Sequence, residues 1–361
     1  MIDCASVQKI IEKYDQNKLT IGTLGSHSSL NIFKGAKEEG FQTVCICKEK
    51  DAIMYKKYPV VDELIVVRDF TELLSDTLQE HLRKLNVILV PHGSFTAYLS
   101  TEELMNTLQI PMFGNRQLLK WEANRKAQEE WLCQAGLRLP ATFKSPDDID
   151  RLAIVKLQGA KGGRGYFLVN SPKGFHKKAQ EMIKRGLVTR ADIEDVHLQE
   201  YVLGVNVYPS YFSSILNDDV ELLAMDRRYE SAVDGIGKIP AQEQFEIDVA
   251  PTYTVVGNFP IVLRESLLPE VMRMGENVHR KAVKLARPGV IGPFCLETVI
   301  TDDLKIYTFE ISARIVAGTN VGIGTSPYAY LRYGENMYMG RRIALELREA
   351  IKQKRLQDVV A

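Results

Sequence analysis

Residues 154–167 read IVKLQGAKGGRGYF. An apolar, strand-like run carries one lysine, Lys156, into a turn with Gly159, Gly162, Gly163 and Gly165. Tyr166 and Phe167 then open a second strand. Glycines let a backbone approach an anion closely and aim several N–H groups at it. Lys156, Lys161 and Arg164 add positive charge around the same point. The stretch therefore predicts a strand–loop–strand lid over a polyphosphate. It lacks the Gly-Lys-Ser/Thr ending of a helix-opening phosphate loop. No helical pattern follows it, so it is not the dinucleotide fingerprint either.

On the N-terminal side, LTIGTL, FQTVCIC, ELIVV and NVILVP read as strands. Helical patterns such as LNIFKGAKEEG and FTELLSDTLQEHLRKL separate them. That alternation predicts a parallel sheet covered on both faces. Ligands of such sheets sit beyond the carboxyl ends of the strands. Gly25–Ser29 and His92-Gly93-Ser94 are the loops at that position. From about Asn115 the character changes: helices run to Gly136, and mostly strands follow to about 260. LQEYVLGVNVYPSYFSSILN and VELLAMDRRYES alternate as antiparallel strands. PEVMRMGENVHRKAVKLA is an amphipathic helix, and 341–356 reads as a plain surface helix.

The second decisive stretch is the hairpin GPFCLETVITDDLKIYTFEISAR, 292–314. Glu297 and Glu310 each interrupt an apolar strand. A four-residue loop, Asp302–Lys305, puts the two glutamates directly opposite; a two-residue loop, Asp302–Asp303, makes them diagonal neighbours on one face. Either way two carboxylates repel unless a cation lies between them. Hard divalent ions take oxygen ligands, and Mg²⁺ commonly uses one or two carboxylates plus nucleotide phosphates. The plainer alternative is an exposed acidic pair, but the neighbours Phe294, Leu296, Phe309 and Ile311 are apolar. Arg314 offers a fork donor for a phosphoryl oxygen. In Leu198–Gly204, an extended LQEYVLG, the backbone suits the edge of a nucleobase, although an ordinary amphipathic strand has the same pattern.

With 46 Lys+Arg against 46 Asp+Glu in 361 residues, net charge is zero. No basic surplus points to nucleic acid or an anionic membrane. Five cysteines, an odd count without metal-ligand spacing, fit a reducing cytoplasmic setting. MIDCASVQKIIEKY has no secretory core, and no apolar run approaches the ~20 residues of a membrane span. Chains of this size often assemble with copies of themselves, but no interface signature is legible.

The order of lid, lysine, linker strand and acidic hairpin resembles the ATP-grasp superfamily. A closer resemblance, over most of the chain, is to the formate-dependent FAICAR synthetases of archaeal-type purine biosynthesis. It is carried by GTLGSHSSL (22–30), YPVVDELIVV (58–67), VPHGSFTAYL (90–99), FGNRQLLKWEANRKAQEEWL (113–132), IVKLQGAKGGRGYF (154–167) and FEISARIVAGTN (309–320). The resemblance implies a Rossmann-like α/β pre-ATP-grasp domain with a parallel sheet over 1–115. An α+β ATP-grasp domain would follow over 116–348, with a lid lobe at about 140–205, a metal-binding lobe at about 206–348, and a helix end at 349–361. It implies ATP with Mg²⁺ or Mn²⁺, and formate and the nucleotide AICAR as substrates, joined through formyl phosphate.

By the same resemblance Lys156 and Arg314 act in catalysis. Lys156, Gly162, Gly163, Arg164, Gly165, Gln199, Glu200, Tyr201, Val202, Tyr208 and Glu230 contact ATP. His27, Ser94 and Asn258 contact AICAR, and Glu297 and Glu310 hold metal. Each has a plainer reading: His27 as a turn residue with Ser28 or Ser29 capping the next helix, Ser94 closing a turn, Asn258 in a turn before Pro260, Glu230 a surface carboxylate. Arg125 stands where related enzymes often carry a basic phosphate contact. Two positions depart from the wider pattern. Ser312 stands where many ATP-grasp members have Asn, and Asn206 where many have a ribose-binding acid. A ligase joining another carboxylate to another nucleotide amine, and a nucleotide-binding regulator without turnover, are the competing readings.

Overall fold

The computed structural model describes residues 4–157, 166–244, 254–316 and 326–361. Three sheets organise it. The first contains β1 (Thr20–Leu24), β2 (Gln42–Lys48), β3 (Glu63–Val67) and β4 (Val87–Leu89), in the order β3-β2-β1-β4. All its pairings are parallel. Every residue of β1 is buried, as expected of a strand covered on both faces. The helix Ser29–Glu38 stops before Gly40, which takes φ +84°, a conformation a Cβ disfavours.

The second sheet joins β5 (Thr142–Phe143), β6 (Ala153–Lys156), β7 (Tyr166–Val169) and β8 (His197–Glu200) in the order β5-β8-β6-β7, all antiparallel. The third is the largest. It comprises β9 (Val205–Ser214), β10 (Asp219–Glu230), β11 (Val255–Pro260), β12 (Gly292–Ile300) and β13 (Ile306–Ser312), ordered β11-β10-β9-β12-β13 and antiparallel throughout. A parallel α/β unit followed by two antiparallel α+β sheets is the architecture the sequence predicts.

The large sheet uses its two faces differently. On one, Tyr211, Phe294 and Leu296 pack with Val271, Met274 and Val278 of the helix Leu268–Leu285. The other is divided. At one end Phe212 and Ser214 are covered by the helix Met339–Lys352, whose Arg342 lies 4.1 Å from the Phe212 ring and whose Glu346 accepts from the Ser214 hydroxyl at 2.9 Å. At the other end Tyr208, Arg228, Glu297 and Glu310 come together.

Helix Met339–Lys352 is not the plain surface helix that its sequence predicts. Met339, Gly340, Arg342, Ile343, Ala344, Glu346, Leu347 and Ala350 are all buried. It is wedged between the large sheet and the helix Ser29–Glu38. Its buried charges are paired: Arg342 holds Glu221 and Glu346, each at 2.9 Å. Unpaired, such groups would cost several kcal/mol, but charged letters in a sequence do not reveal a partner.

Candidate active site

The acidic hairpin brings Glu297 and Glu310 face to face, by neither predicted loop. The connection is Thr301–Lys305, with Ile300 opposite Ile306 and Thr298 opposite Thr308. The register then shifts, so that Glu297 faces Glu310. Phe309 is the extra residue, a β-bulge of the kind that re-aims side chains beside functional sites.

Glu297 is 7 % exposed and is gripped by Arg228 through two parallel bonds, Nη1 to Oε2 at 2.7 Å and Nη2 to Oε1 at 2.6 Å. The guanidinium lies 3.9 Å from the Tyr208 ring centroid. Burial opposes the charge on Arg228, but Glu297 more than compensates and holds its pKa above the usual value. Glu310 is exposed on the wall of the cleft, with protein atoms dense around it on the other sides. Burial first, then the charge of Glu297, push its carboxyl well above the ordinary range, against Lys156, Arg228 and Arg314. Among the described residues no side chain hydrogen-bonds Glu310. Two opposed carboxylates, with the Ser312 hydroxyl also on the cleft wall, form an oxygen donor set that suits a hard divalent ion sharing nucleotide phosphates. Among the described residues no group of three or more His, Cys, Asp and Glu could hold a metal by itself.

Arg314 lines the same cleft, but its Nη2 is held at 2.8 Å by Glu122, which also accepts the Ala313 amide at 2.8 Å. Glu122, missed in the sequence, lies on the helix Leu118–Ala123 and fixes the chain beyond β13.

Lys156 ends β6. Its ammonium donates to the Gln199 side chain at 2.9 Å and stands 6.0 Å from the Phe309 ring. Burial lowers its pKa, Glu310 opposes that, and Arg125 adds to it. Arg125 bonds the Tyr166 side chain and also acts on His197, which faces Lys156 on β8 and is lowered to about 4, chiefly by burial. So Lys156, Gln199, Arg125 and His197 form one positively biased wall at the root of the lid. Lys161, Gly162, Gly163, Arg164 and Gly165 lie outside the described residues. Glu200 is occupied elsewhere: its Oε2 accepts the Ala141 amide at 3.1 Å. The Tyr201 amide bonds Leu152 O at 2.9 Å, and Val202 follows the end of β8. Glu230 ends β10, its amide taken by Asp234 at 2.5 Å and its carboxyl pushed up by burial.

A cleft of ≈ 640 Å³ is lined by His27, Asn258, Glu297, Glu310, Arg228 and Arg314, among others. His27 sits beyond the end of β1 at φ 54°. Its ring faces the cleft within a protein surround, and burial followed by Arg314 and Arg228 lowers its pKa to about 4. Ser28 does not cap the following helix with its side chain; its hydroxyl donates to Val316 O at 2.7 Å. Asn258 is in strand β11 opposite Arg228, rather than in a turn. Pro260, at the end of this edge strand, is where a missing N–H is tolerated. Among the described residues the Asn258 Oδ1 is buried without a partner. Ser94 is 4 % exposed and does not reach the cleft surface; its amide donates to His92 Nδ1 at 3.2 Å.

His92 is placed by the sequence in the loop with Ser94 but given no role of its own. It is fully buried, caps the helix Gly93–Tyr98, and its Nε2 lies 2.9 Å from Leu24 O. Nδ1 accepts and Nε2 donates, which defines the neutral tautomer. Its ring is parallel to that of His27, with centroids 5.6 Å apart. Asp226 was missed too. It precedes Arg228 by two residues on the same face of β10, 1 % exposed, with neither carboxyl oxygen partnered among the described residues. Burial pushes it up to about 7.

Two family models match the chain, one described as a domain of unknown function (DUF1297) over residues 174–361, the other as a protein of unknown function (DUF1246) over 21–143. The chain is 50 % identical over 354 residues, 98 % of each chain, to the 5-formaminoimidazole-4-carboxamide-1-(beta)-D-ribofuranosyl 5'-monophosphate synthetase of Archaeoglobus fulgidus. The chain belongs to this FAICAR synthetase family. The crystal structure of an IMP biosynthesis protein PurP from Thermococcus kodakaraensis aligns with a TM-score of 0.74 at 34 % identity, over 94 % of this chain and all of that one. A biotin carboxylase from Campylobacter jejuni, solved as a β-γ-ATP complex, aligns with a TM-score of 0.61 over 91 % of this chain and 70 % of its own. At 13 % identity that likeness shows the fold alone, and the fold is ATP-grasp.

Proposed function

We propose that this FAICAR synthetase family member joins formate to the 5-amino group of AICAR at the expense of ATP. The observation that carries this is one cleft shared by the Glu297–Glu310 pair and by His27 and Asn258. It has a metal–phosphate end and a nucleotide-acceptor end. A formate oxygen attacks the γ-phosphorus and ADP leaves. The amine nitrogen of AICAR then attacks the formyl carbon, the carbon–oxygen bond to phosphate breaks, and the amine gives up a proton. Mg²⁺ or Mn²⁺, when bound, offsets charge on the phosphates; Glu297 and Glu310, with Ser312 beside them, would hold it. Lys156, oriented by Gln199, neutralises transferred phosphate charge. The neutral His27 and the buried Asn258 carbonyl suit the polar edge of the acceptor, and Ser94 supports the loop behind them. Tyr208, Gln199, Glu200, Tyr201, Val202 and Glu230 form the proposed ATP side with the lid glycines.

Among the described residues no helix is long and apolar enough to cross a membrane. A cytoplasmic place of work belongs to the same proposal. The test is ADP release with ATP, Mg²⁺, formate and AICAR, against omission of each, with product mass by chromatography. ADP and a product heavier by one formyl group should need all four. Equal ADP release without formate or without AICAR would overturn the reading in favour of another carboxylate or acceptor.

A further inference from the structure

The Arg228–Glu297 pair presents a conflict. Glu297 is one of the two carboxylates placed to hold a divalent ion, yet both of its oxygens are bonded to Arg228. A carboxylate bound bidentately to a metal–phosphate complex and to a guanidinium fork would have to leave one of them. Arg228 is not merely a surface counter-ion: its side chain is 15 % exposed, with the guanidinium carbon 3.9 Å from the Tyr208 ring centroid. It is also central. On one side, across the strand pair, is Asn258; on the other is Glu297, with Glu310 beyond. A formyl phosphate must form between the acceptor end and the phosphate end, and Arg228 is the cation at that boundary.

We infer that Arg228 is the carboxylate receptor of this cleft, taking formate into the fork that Glu297 fills in the structure described. The inference rests on the function proposed above. Glu297 shows the geometry required: two parallel N–H···O bonds of 2.6 and 2.7 Å to one carboxylate. Formate presents the same two oxygens without a side chain behind them, and a planar guanidinium matches that pair where an ammonium does not. Arg314, the other cleft arginine, gives its Nη2 to Glu122, an acid with no place in the metal site, and among the described residues its Nε is buried without a partner, so only Arg228 shows a carboxylate seated across both Nη atoms. Asp226, two residues before Arg228 on the same face, makes no bond to the fork and has no partner among the described residues. Formate binding is then tied to metal binding. When Glu297 turns to the ion, the fork opens into the cleft, and formate enters only where the ion and nucleotide are ready. This keeps a mobile anion out of an incomplete site.

Binding of ¹³C-formate, read by NMR line broadening, tests this without turnover. Wild-type protein free of divalent ions should bind weakly, and binding should appear with Mg²⁺ and a non-hydrolysable ATP analogue. Glu297→Gln removes the internal carboxylate and should bind formate without metal; the double variant with Arg228→Gln should not. Kinetics give a second measure. Arg228→Lys keeps the charge that neutralises Glu297 but loses the fork, so the KM for formate should rise about 10-fold or more while those for ATP and AICAR move less than about 3-fold. An unchanged formate KM in Arg228→Lys would show that Arg228 only neutralises Glu297, and would overturn the inference. So would metal-free Glu297→Gln that binds no better than wild type. If wild-type turnover proves independent of formate, the proposed function fails instead, while formate binding by Glu297→Gln still decides the receptor.

Discussion

At the scale of single residues, the cleft works by setting charges against one another in a confined space. Glu310 is the clearest case, because burial and Glu297 both disfavour its ionised form while Lys156, Arg228 and Arg314 favour it. A bound divalent ion would settle that balance. Glu310→Gln keeps the shape and removes the charge, so kcat should fall by about 10²–10³. Mg²⁺ titration of the residual activity should show weakened dependence on the ion; full activity with the original Mg²⁺ dependence would remove Glu310 from the metal site. His27→Ala should raise the AICAR KM by about 10-fold, the scale of one lost hydrogen bond to a buried polar ligand, with the ATP KM unchanged. Equilibrium binding of AICAR to the variant checks this directly. Glu297, Glu310, His27 and Asn258 could be picked out of the sequence because each interrupts a pattern or matches a motif. Arg228 left a fainter signal: an arginine on the inward face of VELLAMDRRYES. Its partner is 69 residues away, and no local rule connects them.

Individual elements convert these residues into geometry, and here the sequence was partly ambiguous. Two loop lengths were open for the acidic hairpin, and both put the glutamates on one face. The answer lies in the bulge at Phe309, which no residue type marks in advance. The His92 cap is a second example. A histidine before Gly-Ser reads as a loop residue. In the folded chain it ties the end of β1, through Leu24, to the start of the helix Gly93–Tyr98 and supports the His27 ring. Burial depresses its pKa from 6.5 to about 3. Because the folded-state value is lower, the unfolded chain binds the proton first. The native state is favoured fully above pH 6.5 and loses stability as pH falls from there towards 3, with a slope from this group of up to about 1.4 kcal/mol per pH unit. His92→Gln should therefore be less stable than wild type at pH 7 but lose less on acidification to pH 5, as read from urea midpoints at the two pH values. Parallel losses in the two proteins would show that His92 is not held neutral.

At the scale of the whole molecule, the site is split between units that the chain must bring together. His27 stands on the parallel sheet and Asn258, Glu297 and Glu310 on the large antiparallel sheet. Several contacts hold these units in register, among them the parallel bridge of His92 to Ile315 and the Arg341–Glu39 ion pair. The Ser28 hydroxyl reaches Val316 O just past Arg314, and the helices Ser29–Glu38 and Met339–Lys352 cross with almost no space between them. A Cβ on Gly35 would lie 2.2 Å from the Arg341 nitrogen, and one on Gly340 would lie 2.0 Å from Asn31 O. The Gly340 amide also donates to the Asn31 side chain at 2.7 Å. Neither glycine stands out in sequence, since each sits in an ordinary helical pattern where alanine would be preferred. Gly340→Ala must push the helices apart through backbone, not through a yielding side chain. It should cost about 1–3 kcal/mol in urea unfolding. Since the crossing joins the two halves of the cleft, the AICAR KM should rise more than the ATP KM in the folded fraction. Gly235→Ala is the control: a Cβ there meets nothing within 4 Å, so stability should stay level or rise slightly. If Gly340→Ala matches that control in both stability and AICAR KM, the crossing does not set the distance between acceptor and metal ends, and the other contacts between the units, Ser28–Val316 and His92–Ile315 among them, carry that role.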